Sequence, residues 1–101
     1  MKWCDHLYVG DSIAAKADRI KWKINHNAGM VSGYVITLAS NPDNLLDIIP
    51  ARELLQKGYP KKNLVIVGLA KDYDEALEVV QRIIGETYER TNDVDVRRML
   101  T

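Results

Sequence analysis

The chain has one cysteine, no excess charge of either sign and no long apolar run, and each lack removes a class of function. Cys4 alone cannot close an intrachain disulfide. Fourteen basic and fourteen acidic side chains cancel, so no global field draws the protein to nucleic acid or to an anionic membrane. No apolar stretch approaches the roughly 20 residues that span a bilayer. The amino-terminal MKWCDHLYVG also lacks the apolar core of a secretory signal. These absences predict a cytoplasmic protein with no membrane partner and little affinity for nucleic acid. A glycine-rich phosphate loop is missing as well, and the only histidines are His6 and His26.

What is present reads as an ordinary globular chain. With 47% hydrophobic and 28% charged residues over 101 positions, the composition fits a single α/β domain spanning residues 1–101. Tyr73, Ala76, Leu77, Val80, Ile83, Ile84, Thr87 and Tyr88 recur at spacings of three and four, which predicts a helix from about Tyr73 to Arg90 with that row buried. Asp72 with Glu75 three positions on forms an Asp variant of the capping box, with Glu75 reaching back to the cap. The opposite row, Glu78, Arg82, Glu86 and Arg90, is expected to face solvent. A second helix is predicted from about Ile13 to Asn27, burying Ile13, Ala17, Ile20 and Ile24 and stopping at Gly29.

YVITLA (Tyr34 to Ala39) and NLVIVGLA (Asn63 to Ala70) are nearly continuous in apolar and β-branched residues, as buried strands are. Leu7 to Val9, extended back through Trp3, is a third, short strand. The segment between the two strong strands supports two readings. In the favoured one, Ser40 to Asn44 form a hairpin loop, Leu45 to Ile49 return as a strand, and Pro50 opens a short helix ending at Gly58. In the other, Asn41 caps one helix through Lys57, which places Pro50 inside it at a cost of about 3 kcal/mol. The expected fold is a small mixed sheet of three to four strands packed with two long helices and one short helix. The tail NDVDVRRMLT is expected to add at most a last helical turn.

The turn Gly10-Asp11-Ser12-Ile13 resembles the first block of the GDSL or SGNH hydrolases, in which a serine after the first strand is the nucleophile. The resemblance covers about eight residues. It implies an activating histidine in a late Asp-x-x-His motif and a Gly-x-Asn-Asp block, and neither occurs here. A hydroxyl without a base is a poor nucleophile, so Asp11 or Ser12 is expected to be a helix N-cap.

Other candidate chemistry is equally incomplete. Cys4 and His6 lie two apart on one strand face, but two ligands do not make a structural zinc site. Pro42-Asp43 with Glu53 downstream has the acidic spacing of metal-dependent nucleases, yet Glu53 is followed by Leu54 and Leu55 where an acid-x-Lys pair is required. At GLAKDYDEA the helix start is already occupied by Asp72, Asp74 and Glu75, which repel a phosphate. No metal or cofactor is expected.

The remaining signal is a surface. At about 100° per residue, Trp22 falls opposite the buried row of its helix, beside Arg19 and His26, with Lys16 and Lys23 on the flank. Trp and Arg are over-represented at binding hot spots, although Trp3 or the tail would also serve to cover Trp22. CDHLYVG, YVITLASN and GLAKDYDEALEVV are together similar to segments of a group of small bacterial proteins with no assigned function, a resemblance that implies no activity. The expectation is a non-enzymatic interaction or regulatory module acting as an oligomer or adaptor through Trp22, Arg19 and His26. The alternative is a small ligand-binding protein or hydrolase using Cys4, His6 and Ser12. A third reading is weak nucleic-acid binding through Lys16, Arg19, Lys21 and Lys23.

Overall fold

The computed structural model describes residues 1–29, 31–39, 45–56, 58–59 and 63–92. Four strands, β1 (Lys2–Val9), β2 (Tyr34–Leu38), β3 (Leu46–Pro50) and β4 (Val65–Ala70), form one mixed sheet in the order β1-β4-β2-β3. β1 and β4 run parallel, whereas β4 with β2 and β2 with β3 are antiparallel. The last strand in the sequence is therefore an inner strand of the sheet. Helix α1 (Ala17–His26) and α2 (Tyr73–Thr91) cover opposite faces, giving an α/β sandwich.

Strand periodicity divides the core in two. Ile36 and Leu38 of β2 join Tyr8, Val67, Ala76, Val79 and Ile83 beneath α2. Val35, just before Ile36, turns the other way, to Ile13, Ile24, Ala51, Leu54, Ile66 and Leu69 on the α1 side. Ile24, Leu54, Ile66 and Ile83 are fully buried, and truncating any of them to alanine removes about 2–5 kcal/mol of stability.

The hairpin reading of the middle segment holds. β3 pairs with β2 in the register Val35↔Ile49 and Thr37↔Asp47, and Pro50 ends the strand opposite Tyr34. Ala51 N–H donates to the Gly33 carbonyl at 2.9 Å, so the ladder steps over the proline that has no N–H to give. Ala51–Leu55 follow as a 3-10 helix. The expected loop at Ser40 to Asn44, with Pro42 and Asp43, lies outside the described residues, as does the tail from 93 to 101.

Three sequence expectations need correction. The helix expected from Ile13 is split into a 3-10 helix, Asp11–Lys16, and α1 proper. Its stop is Asn27 in the left-handed conformation (φ 49°), ahead of Gly29, and Ala28 N–H bonds the Lys23 carbonyl at 3.0 Å. The row that α2 buries is Ala76, Val79, Ile83 and Thr87, so Tyr73, Leu77 and Tyr88 lie exposed on one shoulder of the helix. On its other shoulder the charged row faces solvent as expected, with Glu78, Arg82 and Arg90 exposed and Glu86 half-buried, and Arg82 Nη2 also donates to the Val9 carbonyl at 2.9 Å and sits 5.8 Å from the Tyr8 ring. The inward row of α2 has a reason in the sheet. The axis of α2 is set by where β4 and its neighbours lie, which the helix period alone does not encode.

Candidate interaction surface

α1 shows how a tryptophan is left outside. Ile13 and Ile24 are buried, with Ala17 and Ile20 packed against the same core cluster, and that row fixes the helix rotation. Trp22 is turned away and remains 55% exposed. It is nevertheless ordered by its neighbour: the His26 ring stacks on it with centroids 4.3 Å apart and planes 21° from parallel. Nδ1 of His26 donates to the Trp22 carbonyl at 2.8 Å, which assigns the hydrogen to that nitrogen. Arg19, one turn earlier, is also exposed.

Trp3 does not cover Trp22. Its indole N–H donates to Asn25 Oδ1 at 2.7 Å, and the Lys21 ammonium lies 5.3 Å from its ring centroid. Trp3 is thus engaged along the flank of α1 while Trp22 stays outside. Of the four bases considered for nucleic acid, Lys21 lies over this ring and Lys23 is half-buried, leaving Lys16 and Arg19 exposed.

The amino-terminal candidates are drawn to different partners. Neither Asp11 nor Ser12 supplies an N-cap: that position belongs to Gly10, and the orphan amide at the helix start is satisfied from α2. Ser12 N–H donates to Glu75 Oε2 at 3.2 Å, and Lys71 N–H to Glu75 Oε1 at 2.8 Å. Asp72 accepts from Glu75 N–H at 2.8 Å, as the capping box requires, but Glu75 reaches past Asp72 to bind the two turns together. Burial pushes the Glu75 carboxyl up, but hydrogen bonds from the Ser12 hydroxyl and from the Lys71 and Ser12 amides outweigh it, with help from the Lys71 charge. The net effect holds the carboxyl below the ordinary glutamate range, which makes it a weak base for the serine.

This contact lies in the cleft where open α/β sheets take ligands, at the carboxyl ends of the parallel β1 and β4. The cleft, about 370 Å³, is lined by Gly10, Asp11, Ser12, Glu75, Glu78 and Arg82 among others. Three carboxylates repel an anion, and a Cβ on Gly10 would land on the Glu75 carboxylate. Glu75 therefore lines the cleft with its carboxylate and occupies the amides at its rim.

Cys4 and His6 lie on β1, where four residues, 4 to 7, are accommodated between the Trp3↔Ile66 and Tyr8↔Gly68 pairs against the single residue Val67. The His6 ring meets Tyr8 edge-on at 5.1 Å. Tyr8 is the residue that sequence reasoning missed. Burial pushes its hydroxyl up to about 12, assisted by a hydrogen bond to Glu86 and by that carboxylate's charge. Arg82, Glu86 and Tyr8 thus lock β1 to α2, a role visible only once the two elements are adjacent. Among the described residues no group of three or more His, Cys, Asp and Glu is placed to hold a metal ion, and no helix is long and apolar enough to cross a membrane.

No protein-family model, curated protein or solved structure matches the chain.

Proposed function

We propose that the protein is a non-enzymatic interaction module of the bacterial cytoplasm, acting as an oligomer or adaptor, with Trp22 as the anchor of the contact and Arg19 and His26 beside it. The observation that carries this reading is a tryptophan more than half exposed on a helix that has ample core to bury elsewhere, held in one orientation by a stacked histidine. A large, rigid aromatic with few side-chain torsions to lose, next to a guanidinium, has the composition of a binding hot spot. The competing hydrolase reading has less support, because the Ser12 backbone and hydroxyl are both engaged by a carboxylate of depressed basicity.

The test is Trp22→Ala. Because the side chain is exposed, stability is expected to change by no more than about 0.5 kcal/mol. Association, measured as oligomeric state and as partner recovered from native cells, is expected to be lost. Unchanged association in this variant would remove the reading.

A further inference from the structure

β3 is an outer strand of the sheet, and its backbone groups on the outer side can be placed one by one. Its ladder with β2 is bracketed by Ala39 N–H donating to the Leu45 carbonyl at 3.4 Å and Ala51 N–H donating to the Gly33 carbonyl at 2.9 Å. An antiparallel strand turns alternate residues to its neighbour, so Leu45, Asp47, Ile49 and Ala51 bond β2 while Leu46, Ile48 and Pro50 turn their backbone groups outward. Among the described residues the outward N–H groups of Leu46 and Ile48 have no partner. The other outer strand, β1, is a poorer template, because residues 4 to 7 bulge against the single Val67. β3 pairs without interruption from Pro50 to Leu46 and is half-buried along its whole length.

Exposed apolar side chains gather beside this edge. One shoulder of α2 reaches β1, where Arg82 donates to the Val9 carbonyl, and the other reaches toward β2, where the Tyr73 ring meets Tyr34 edge-on at 5.9 Å. Tyr73, Leu77 and Tyr88 stand exposed on that second shoulder, and Leu45, exposed as well, immediately precedes β3. Of the large hydrophobic side chains exposed among the described residues, only Trp22 lies elsewhere.

We infer that β3 is a self-association edge, pairing antiparallel with β3 of a second copy about a two-fold axis at Ile48. A row of free N–H and C=O groups selects an extended strand as its occupant. A second β3 answers it in one register. With Ile48 opposite Ile48 of the second copy, the two exchange both hydrogen bonds, and Leu46 N–H of each copy reaches the Pro50 carbonyl of the other. Every outward donor is then used. Pro50, which has no N–H to give, leaves only the Leu46 carbonyl without a partner, at the end of the ladder where water reaches it. The side chains agree with this register. Leu46, Ile48 and Pro50 of the two copies make one apolar row continuous with the core beneath α2, and Asp47 falls opposite Ile49, not opposite a second acid. Leu45 comes against Ala51 and the 3-10 helix that it opens in the second copy. The Tyr73 and Leu77 shoulders face each other above the joined strands. The contact is isologous and each copy has one such edge, so assembly stops at a dimer with one continuous sheet. None of this uses Trp22, and the α1 surface stays open in the pair.

The experiment uses the full chain, with sedimentation equilibrium for mass and amide hydrogen exchange by NMR for the register. Wild type is expected to form a dimer and nothing larger through this edge. The Leu46 and Ile48 amides are expected to exchange at least about tenfold more slowly in concentrated protein than in dilute, while Asp47 and Ile49, bonded to β2 in either state, show little change. Leu45→Lys, at an exposed position and checked for folding by circular dichroism, is expected to weaken the dimer about tenfold or more. A wild type that stays monomeric at about 1 mM, or a dimer in which the Leu46 and Ile48 amides exchange as fast as in the monomer, would overturn the inference. A dimer that dissolves in Trp22→Ala but is indifferent to Leu45→Lys also overturns it, and leaves the α1 surface as the interface.

Discussion

Glu75 shows how one residue acquires a role that its own motif half announces. Asp72 and Glu75 mark a helix start in any sequence, and the Asp72 contact forms as that motif requires. The reach to Ser12, 63 positions away, depends on two turns being neighbours, and that follows from strand order. Gly10 is complementary to it. Its backbone, at φ −64° and ψ 144°, suits any residue, so what demands glycine is the space taken by the Glu75 carboxylate. Gly10→Ala is therefore expected to destabilise the fold by about 1–3 kcal/mol through steric conflict and displaced hydrogen bonds. In a Glu75→Ala background the same change is expected to be nearly neutral. Urea unfolding of the four proteins gives the coupling, and simple additivity would show that the two residues do not share the site.

Among the elements, β1 and α2 are joined by more than apolar packing. Tyr8 places its ring in the core under α2 while its hydroxyl meets Glu86, and Arg82 spans from the helix to the strand's last carbonyl. Because the hydroxyl is pushed up to about 12 in the folded chain, the folded state holds its proton longer than the unfolded state does. The stabilisation is whole below about pH 10, the value of a free tyrosine, and is lost as pH rises toward the folded value. Stability is thus expected to fall over that alkaline window, and less so in Tyr8→Phe; equal slopes would show that Tyr8 is not the responsible group. The helix itself was legible from its period and cap, and so was the outward turn of Trp22. The row that faces inward on α2 was not. Val79 and Val80 are equally apolar, and only the position of β4 beneath the helix selects the first for burial.

At the scale of the whole molecule, composition and pattern were sufficient for one α/β unit, and Pro50 decided between hairpin and helix because its missing N–H suits a strand end. Strand order was not legible, since the apolar runs of β2 and β4 describe inner strands without saying which strands flank them. The same ignorance hid the cleft lined by Glu75 and the lock between Tyr8 and Glu86, which both follow from β1 lying next to β4. The arrangement has a measurable correlate. A fragment ending at Asn63 retains β1 and the β2–β3 hairpin but nothing to place between them, and is expected to unfold without cooperativity, whereas residues 1–92 unfold in one transition; a sharp transition in the fragment would contradict this.

β4, drawn from residues 65 to 70, pairs with β1 on one side and with β2 on the other. A ribosome making this chain therefore releases both flanks of the sheet before their shared neighbour exists. During that interval the two edges that will later receive β4 are bare templates for foreign strands, a period in which a holding chaperone is of most use. The hazard ends when the wedge slides home.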